Sequence, residues 1–268
     1  MLRNLKYRFV TYCSRLYRSW RSNEKFNTIN DWNKISLGDY SKVFLEHRGL
    51  KSQKWSHYLP IYDELVSEVK HYFPGDVRVL EIGVQSGGCL QIWRKIFGDN
   101  ANIFGLDINP KCSELGINAQ VRIGNSSDIN VIKSIVEEMN TIDLIIDDGS
   151  HDSLEQRKTF ELLFPHLSDF GIYIIEDLEH SYYWSQHGGY LRPSSFIQRC
   201  KRLVDDLNRN YFSFPRLPSF QITKYAIGSV SFHSGLVVIR KRPYIHPHII
   251  WTDSGEVSKT SVVRKSEK

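Results

Sequence analysis

The sequence predicts an α/β fold, a doubly wound and mostly parallel sheet, on three observations. Short apolar runs alternate with stretches of helical periodicity from Val77 to Asn208. Such runs, bounded by turn residues, read as strands buried on both faces. Two runs, Ile142–Ile146 and Ile172–Ile175, lead directly into acidic clusters, Asp147-Asp148-Gly149-Ser150-His151 and Glu176-Asp177. Two β-branched and aromatic segments, Tyr225–Phe232 and Gly235–Arg240, flank a His233-Ser234 turn and read as an antiparallel hairpin.

The elements follow in order. Residues 1–50 read as a basic, helical N-terminal extension with a loop near Asn27–Asn33. Arg3, Lys6, Arg8, Arg15, Arg18 and Arg21 precede its first acid, Glu24, while Leu2, Leu5, Phe9, Tyr12, Leu16 and Trp20 recur at helical spacing. A basic helix with such an apolar face suits an anionic membrane interface, so residues 1–25 are a candidate peripheral membrane contact. Packing on the chain's own domain and an organelle transit peptide are the alternatives. Pro60–Phe73 carries helical spacing and stops at Pro74-Gly75. Val77–Ile82 is the first strand, Gly83–Gly88 a tight loop, and Cys89–Phe97 a helix ended by Gly98. Asn102–Leu106, ending in Asp107, and Gln120–Ile123 are the second and third strands. Ile129–Met139 is a helix, Ile142–Ile146 the fourth strand, Leu154–Leu167 a helix, Gly171–Ile175 the fifth strand and Ser195–Asn208 a helix. With the hairpin, this order is a Rossmann-like, seven-stranded sheet over residues 51–245 with an antiparallel C-terminal pair. Residues 246–268 read as a polar tail without regular structure.

Composition narrows the class. At 268 residues and 41% hydrophobic content the chain supports one sizeable domain. No apolar run reaches the roughly 18 residues of a membrane span, and no secretory leader is evident. Cys13, Cys89, Cys112 and Cys200 are scattered, which suits neither a disulfide framework nor a zinc site. These features fit a cytoplasmic protein, peripheral at the inner membrane face if residues 1–25 bind there. The net charge of +5 is modest. Beyond the N-terminus no basic stripe with interleaved aromatics occurs, which argues against a nucleic-acid partner.

Chemistry is expected where the strands end, because open α/β sheets bind ligands outside the carboxyl ends of their strands. The carboxylates of the Asp147-Asp148 and Glu176-Asp177 clusters would repel one another in one cleft unless a cation neutralised them, and an all-oxygen set favours Mg²⁺ over zinc. The loop Glu81-Ile82-Gly83-Val84-Gln85-Ser86-Gly87-Gly88 lets backbone approach a ligand closely, and Asp107 ends the next strand where an acid can hold a ribose. The loop matches neither G-x-G-x-x-G nor a phosphate loop, which argues against NAD and ATP. A nucleoside cofactor without phosphates, S-adenosylmethionine (SAM), fits best.

Val79-Leu80-Glu81-Ile82-Gly83-Val84 with Gly87-Gly88 resembles motif I of class I SAM-dependent methyltransferases. With Ile145–His151 and Ile175–Leu178 added, the chain resembles the Mg-dependent sugar O-methyltransferases of macrolide pathways and bacterial polysaccharide clusters, from about Trp55 to Lys241. The resemblance implies that residues 51–245 are a methyltransferase domain. It implies Asp148, Glu176 and Asp177 as Mg²⁺ ligands and His151 as general base. It also implies Asp107 on the SAM ribose, Asp128 near the adenine, Glu81, Gly83 and Gly87 on the methionine part, and Tyr58 with His57 closing over SAM. A histidine, with an ordinary pKa of about 6.5, suits proton removal from an acceptor hydroxyl. The implied acceptor is a saccharide or glycosylated small molecule, free or lipid-linked, and a homo-oligomer is a further expectation.

Each motif alone has a structural reading: Asp147-Asp148-Gly149 as a turn, Glu176-Asp177 as a helix cap. Asn125 and the Glu179–Trp184 segment depart from the family pattern, the latter by an extra residue facing the substrate. A catalytically silent scaffold of a membrane-associated polysaccharide assembly is the competing function, and the intact metal and base set argues against it. A non-haem iron hydroxylase, which uses two histidines and one carboxylate, fits the acidic set poorly.

Overall fold

The computed structural model describes residues 37–208, 211, 227–243, 245, 248–253 and 256–261. The expected membrane contact at residues 1–25 lies outside them. The elements are α1 (Asp39–Leu45), α2 (Leu59–Tyr72), β1 (Arg78–Ile82), α3 (Gly88–Phe97), β2 (Asn102–Asp107), β3 (Gln120–Ile123), α4 (Ile129–Met139), β4 (Ile142–Asp147), α5 (Ser153–Leu163), β5 (Leu167–Ile175), α6 (Phe196–Leu207), β6 (Ile227–His233) and β7 (Leu236–Lys241).

The strands form a seven-stranded sheet in the order β3-β2-β1-β4-β5-β7-β6. The first five are parallel; β7 runs antiparallel to β5 and β6. Strand alternation divides the core in two. Val79, Ile103, Leu144, Ile146, Ile172, Ile174 and Val238 pack on one side with α2 and α3. Leu80, Ile82, Phe104, Leu106, Ile145, Tyr173, Ile175, Val237 and Ile239 pack on the other with α4, α5 and α6. Helices therefore cover both faces, as the alternating pattern requires. The chain order reverses between β1 and β4, which opens a crevice at their carboxyl ends.

Three segments differ from the sequence reading. The helix expected to reach Leu167 stops at Leu163, and Phe164–His166 tightens into a 3₁₀ turn, because Pro165 cannot continue the helical ladder. Strand β5 begins at Leu167 rather than Gly171, across a register irregularity where the polar Ser168-Asp169 hides it. The tail, expected to lack regular structure, contains a two-stranded hairpin of β8 (His248–Asp253) and β9 (Glu256–Ser261). Alternation in Ile249, Ile250, Trp251 and Val257 is short and mixed with charge, which masked it in sequence.

Residues 37–50 pack against the helices that follow them. Chain contacts group residues 37–268 as one unit. Tyr40 on α1 is buried and stacks on Tyr62, with ring centroids 4.6 Å apart, beside Trp93 at 5.2 Å. Asp63 on α2 accepts from the Gly38 N–H at 2.9 Å and the Ser41 N–H at 2.8 Å, closing the start of α1. Residues 37–50 thus belong to the domain.

Candidate active site

A cleft of about 880 Å³ lies at the crevice, walled by the segments after β1 through β5 and by the loop Lys51–Trp55. The β1–α3 loop forms its floor. Gly83 has φ +93°, and a Cβ there would collide with the Asp148 carbonyl, so glycine lets the β1 and β4 loops touch. Gly87 starts α3 at φ +81°, while at Gly88 a Cβ would collide with the carbonyls of Leu50 and Lys51. The cleft is lined by Gly83 and Gly88, with Gly87 turned behind them toward Leu115.

Glu81, next to last in β1, has its side chain buried and accepts from Trp93 Nε1 at 2.6 Å. Burial, partly offset by nearby Lys54, pushes its carboxyl up to about 7. Asp107 ends β2 across the cleft, accepting from the Gln85 N–H at 2.9 Å and the Asn109 N–H at 2.8 Å. Asp128 lies at the start of α4, just after the Gly124-Asn125-Ser126 segment. It caps α4, accepting from the Asn130 N–H at 2.8 Å, and is not on the cleft wall. The wall there is Gly124-Asn125-Ser126. Tyr58 is likewise off the wall and fully buried; its hydroxyl donates to the Gly235 carbonyl at 2.8 Å and stands 3.4 Å from Asp177 Oδ1. His57 contacts the Ser234 carbonyl at 2.9 Å. Both therefore tie the segment before α2 to the β6–β7 turn.

The acidic motifs meet at one end of the cleft. Strand register puts Asp147 beside Ile82 and Ile175, so the residues that follow β4 and β5 emerge together. Alternation turns Asp147 inward. It is buried, 3.3 Å from the Tyr173 hydroxyl, and burial raises its carboxyl to about 7. Asp148 faces the cleft instead. Ligand atoms of Asp148, His151 and Asp177 lie within 4.8 Å of one another, a spacing that suits a cation. Those of Asp177, Glu179 and His180 form a second, overlapping set. Asp177 adopts φ +50°, a conformation unusual outside glycine, and accepts from Trp55 Nε1 at 3.0 Å. His151 Nε2 stands 3.7 Å from Asp177 Oδ2, and its Nδ1 is shut from solvent without a hydrogen-bond partner. Glu176 also reaches the cleft but points toward the core, where it accepts from the Tyr62 hydroxyl.

Lys54 escaped the sequence reading. Its Nζ lies 2.7 Å from Glu176 Oε1 and 2.9 Å from Asp148 Oδ2, with the side chain 1% exposed. Burial disfavours its charge, but Glu176 above all, with Cys89, Tyr62 and Asp148, holds the ammonium well above its usual range. Nothing in the polar run Lys51–Lys54 marks it in sequence. Only the fold carries this loop over α3 to the carboxylates.

No family model matches the chain. It is 28% identical, over 76% of its length and 54% of the relative's, to the 8-demethyl-8-(2-methoxy-alpha-L-rhamnosyl)-tetracenomycin-C 3'-O-methyltransferase of Streptomyces olivaceus. It is 34% identical, over 69% of its length and 48% of the relative's, to the mycinamicin VI 2''-O-methyltransferase of Micromonospora griseorubida. Among solved structures, the MycE methyltransferase in complex with Mg and SAH superposes with a TM-score of 0.67 at 26% identity, covering 77% of this chain and 55% of that one. The chain spans about half the length of the curated relatives it matches. With this sheet order and this site, the chain has the class I SAM-dependent methyltransferase fold and resembles the sugar O-methyltransferases of macrolide and related pathways.

Proposed function

We propose that the chain is a SAM- and Mg²⁺-dependent O-methyltransferase acting on a sugar hydroxyl. The observation that carries the proposal is the convergence of Asp148, His151 and Asp177 at the end of a strand-edge cleft, with Asp107 at its other side. The acidic donors suit a hard divalent cation, and the cleft's backbone-lined floor with a ribose-type acid suits a nucleoside cofactor. When bound, SAM supplies the methyl group and the cation acidifies a coordinated hydroxyl.

The chain's own residues do the rest. Asp148 and Asp177, with Glu176 beside them, hold the cation. His151 accepts the hydroxyl proton on a ring nitrogen, and Asp177, 3.7 Å from Nε2, stabilises the charge that results. Asp107 and the Gly83–Gly88 loop would hold the cofactor and align it with the acceptor. Such alignment contributes up to about 7–11 kcal/mol to related reactions. Tyr182, Tyr183 and Trp184 are exposed in the segment that follows Asp177 and offer flat apolar faces to a sugar ring.

The relatives' names specify rhamnosyl tetracenomycin and mycinamicin VI as their acceptors. For this chain the acceptor is a glycosylated small molecule or a saccharide in polysaccharide assembly. The basic segment 1–25 supports a lipid-linked form at a membrane surface. Methyl transfer from isotopically labelled SAM to a panel of glycosides, with Mg²⁺ and with chelator, tests this. Labelled sugar only with Mg²⁺ supports it; no transfer to any glycoside, despite SAM binding, rules out the sugar acceptor.

A further inference from the structure

Three carboxylates crowd the end of the cleft, yet a lysine is already seated among them. Lys54 touches one oxygen of Asp148 and one of Glu176, leaving the other oxygen of each unclaimed by it. It does not reach them by chance of a flexible side chain. Its loop is fixed at four points: Leu50 N–H to Gln91 Oε1 at 2.8 Å, Ser52 to Cys89 Sγ at 2.9 Å, Trp55 Nε1 to Asp177 Oδ1 at 3.0 Å, and the Leu50 and Lys51 carbonyls packed on Gly88. The lysine stem is buried, with Nζ 5.8 Å from the centre of the Tyr62 ring.

We propose that Lys54 is a positioning residue that ties down Asp148 and Glu176 and offsets part of the negative charge of the site. Lys54 offsets part of the negative charge that Asp148, Glu176 and Asp177 bring together. Asp147 points toward Tyr173, and Glu81, which also lines the cleft, accepts from Trp93. Without Lys54 the site is more negative, and Glu176 is a buried carboxylate without a counter-charge, a costly arrangement. This rests on the proposed cation at the site, but its test separates the two.

The test uses the full chain, with MnCl₂ and TbCl₃ as probes. Trp55 beside Asp177 provides tryptophan-sensitised Tb³⁺ luminescence as a direct readout of binding. In Lys54→Met the ratio of Tb³⁺ to Mn²⁺ affinity rises about tenfold or more, because one added negative charge favours the trivalent ion. The metal-free Tm of Lys54→Met falls by several degrees, and Lys54→Met/Glu176→Gln recovers most of that loss by removing the orphaned charge. The double variant also decides the matter if Lys54→Met alone does not fold. An unchanged ion ratio in Lys54→Met, or a double variant no more stable than the single, overturns the proposal. A wild type that binds neither ion overturns the cation reading, while the two Tm values still decide whether Lys54 holds Glu176.

Discussion

Neighbouring carboxylates here have opposite tasks, and environment assigns them. Asp147 and Glu81 are buried and held up to about 7, whereas Asp148 and Asp177 face the cleft. The acidic motifs were legible in sequence. Which member of the Asp147-Asp148 pair faces the cleft follows from strand alternation once the strand end is known. Glu81 gives a pH test. Its folded pKa of about 7 lies above the ordinary 4.5, so its contribution to stability is full below about 4.5 and is lost as pH rises through about 7. Glu81→Gln, which can still accept from Trp93, should therefore gain on the wild type between pH 5 and 8, by up to about 3 kcal/mol in ligand-free denaturation. Parallel curves for the two proteins would contradict this. At the base, His151→Ala should keep SAM affinity within a few-fold and lower methyl transfer by about 10²–10⁴-fold, measured by single-turnover kinetics.

The elements were legible wherever periodicity was unmixed. β4 is apolar from Ile142 to Ile146 apart from Asp143, and α4 runs from Ile129 to Met139 as its spacing predicts. Asp143 hides in that strand because Arg78 pairs with it at 2.7 Å. Misreadings fall where polar residues interrupt a pattern, at Ser168-Asp169 and in the β8–β9 hairpin. Asp128 shows a different ambiguity. An Asp before an apolar helix satisfies both a cap and a family motif, and here its side chain caps α4. Asp128→Ala should cost about 1 kcal/mol in denaturant unfolding; no loss would show the cap to be idle. Gly83→Ala tests the loop contact. A Cβ would drive the β1 and β4 loops apart, so loss of Tm together with weakened SAM binding is expected, and full retention of both would contradict the close approach.

At the scale of the whole molecule, a doubly wound sheet gathers residues far apart in sequence at one edge. Lys54 and Glu176, 2.7 Å apart, illustrate why a sequence pattern missed half of that pairing. The acidic motifs each follow a strand, and that context revealed them; Lys54 stands in a loop whose course only packing against α3 determines. The same packing draws residues 37–50 into the domain, through Tyr40 and Asp63. Among the described residues no helix is long and apolar enough to cross a membrane. The segment that matches the sugar O-methyltransferase relatives spans about half of their length. The most direct test is calorimetry of SAM binding with and without Mg²⁺, on the wild type and on Asp148→Ala. SAM binding by both proteins is expected, with Mg²⁺ binding by the wild type that Asp148→Ala abolishes. Absence of SAM binding under every condition, or Mg²⁺ binding undiminished by Asp148→Ala, would contradict this.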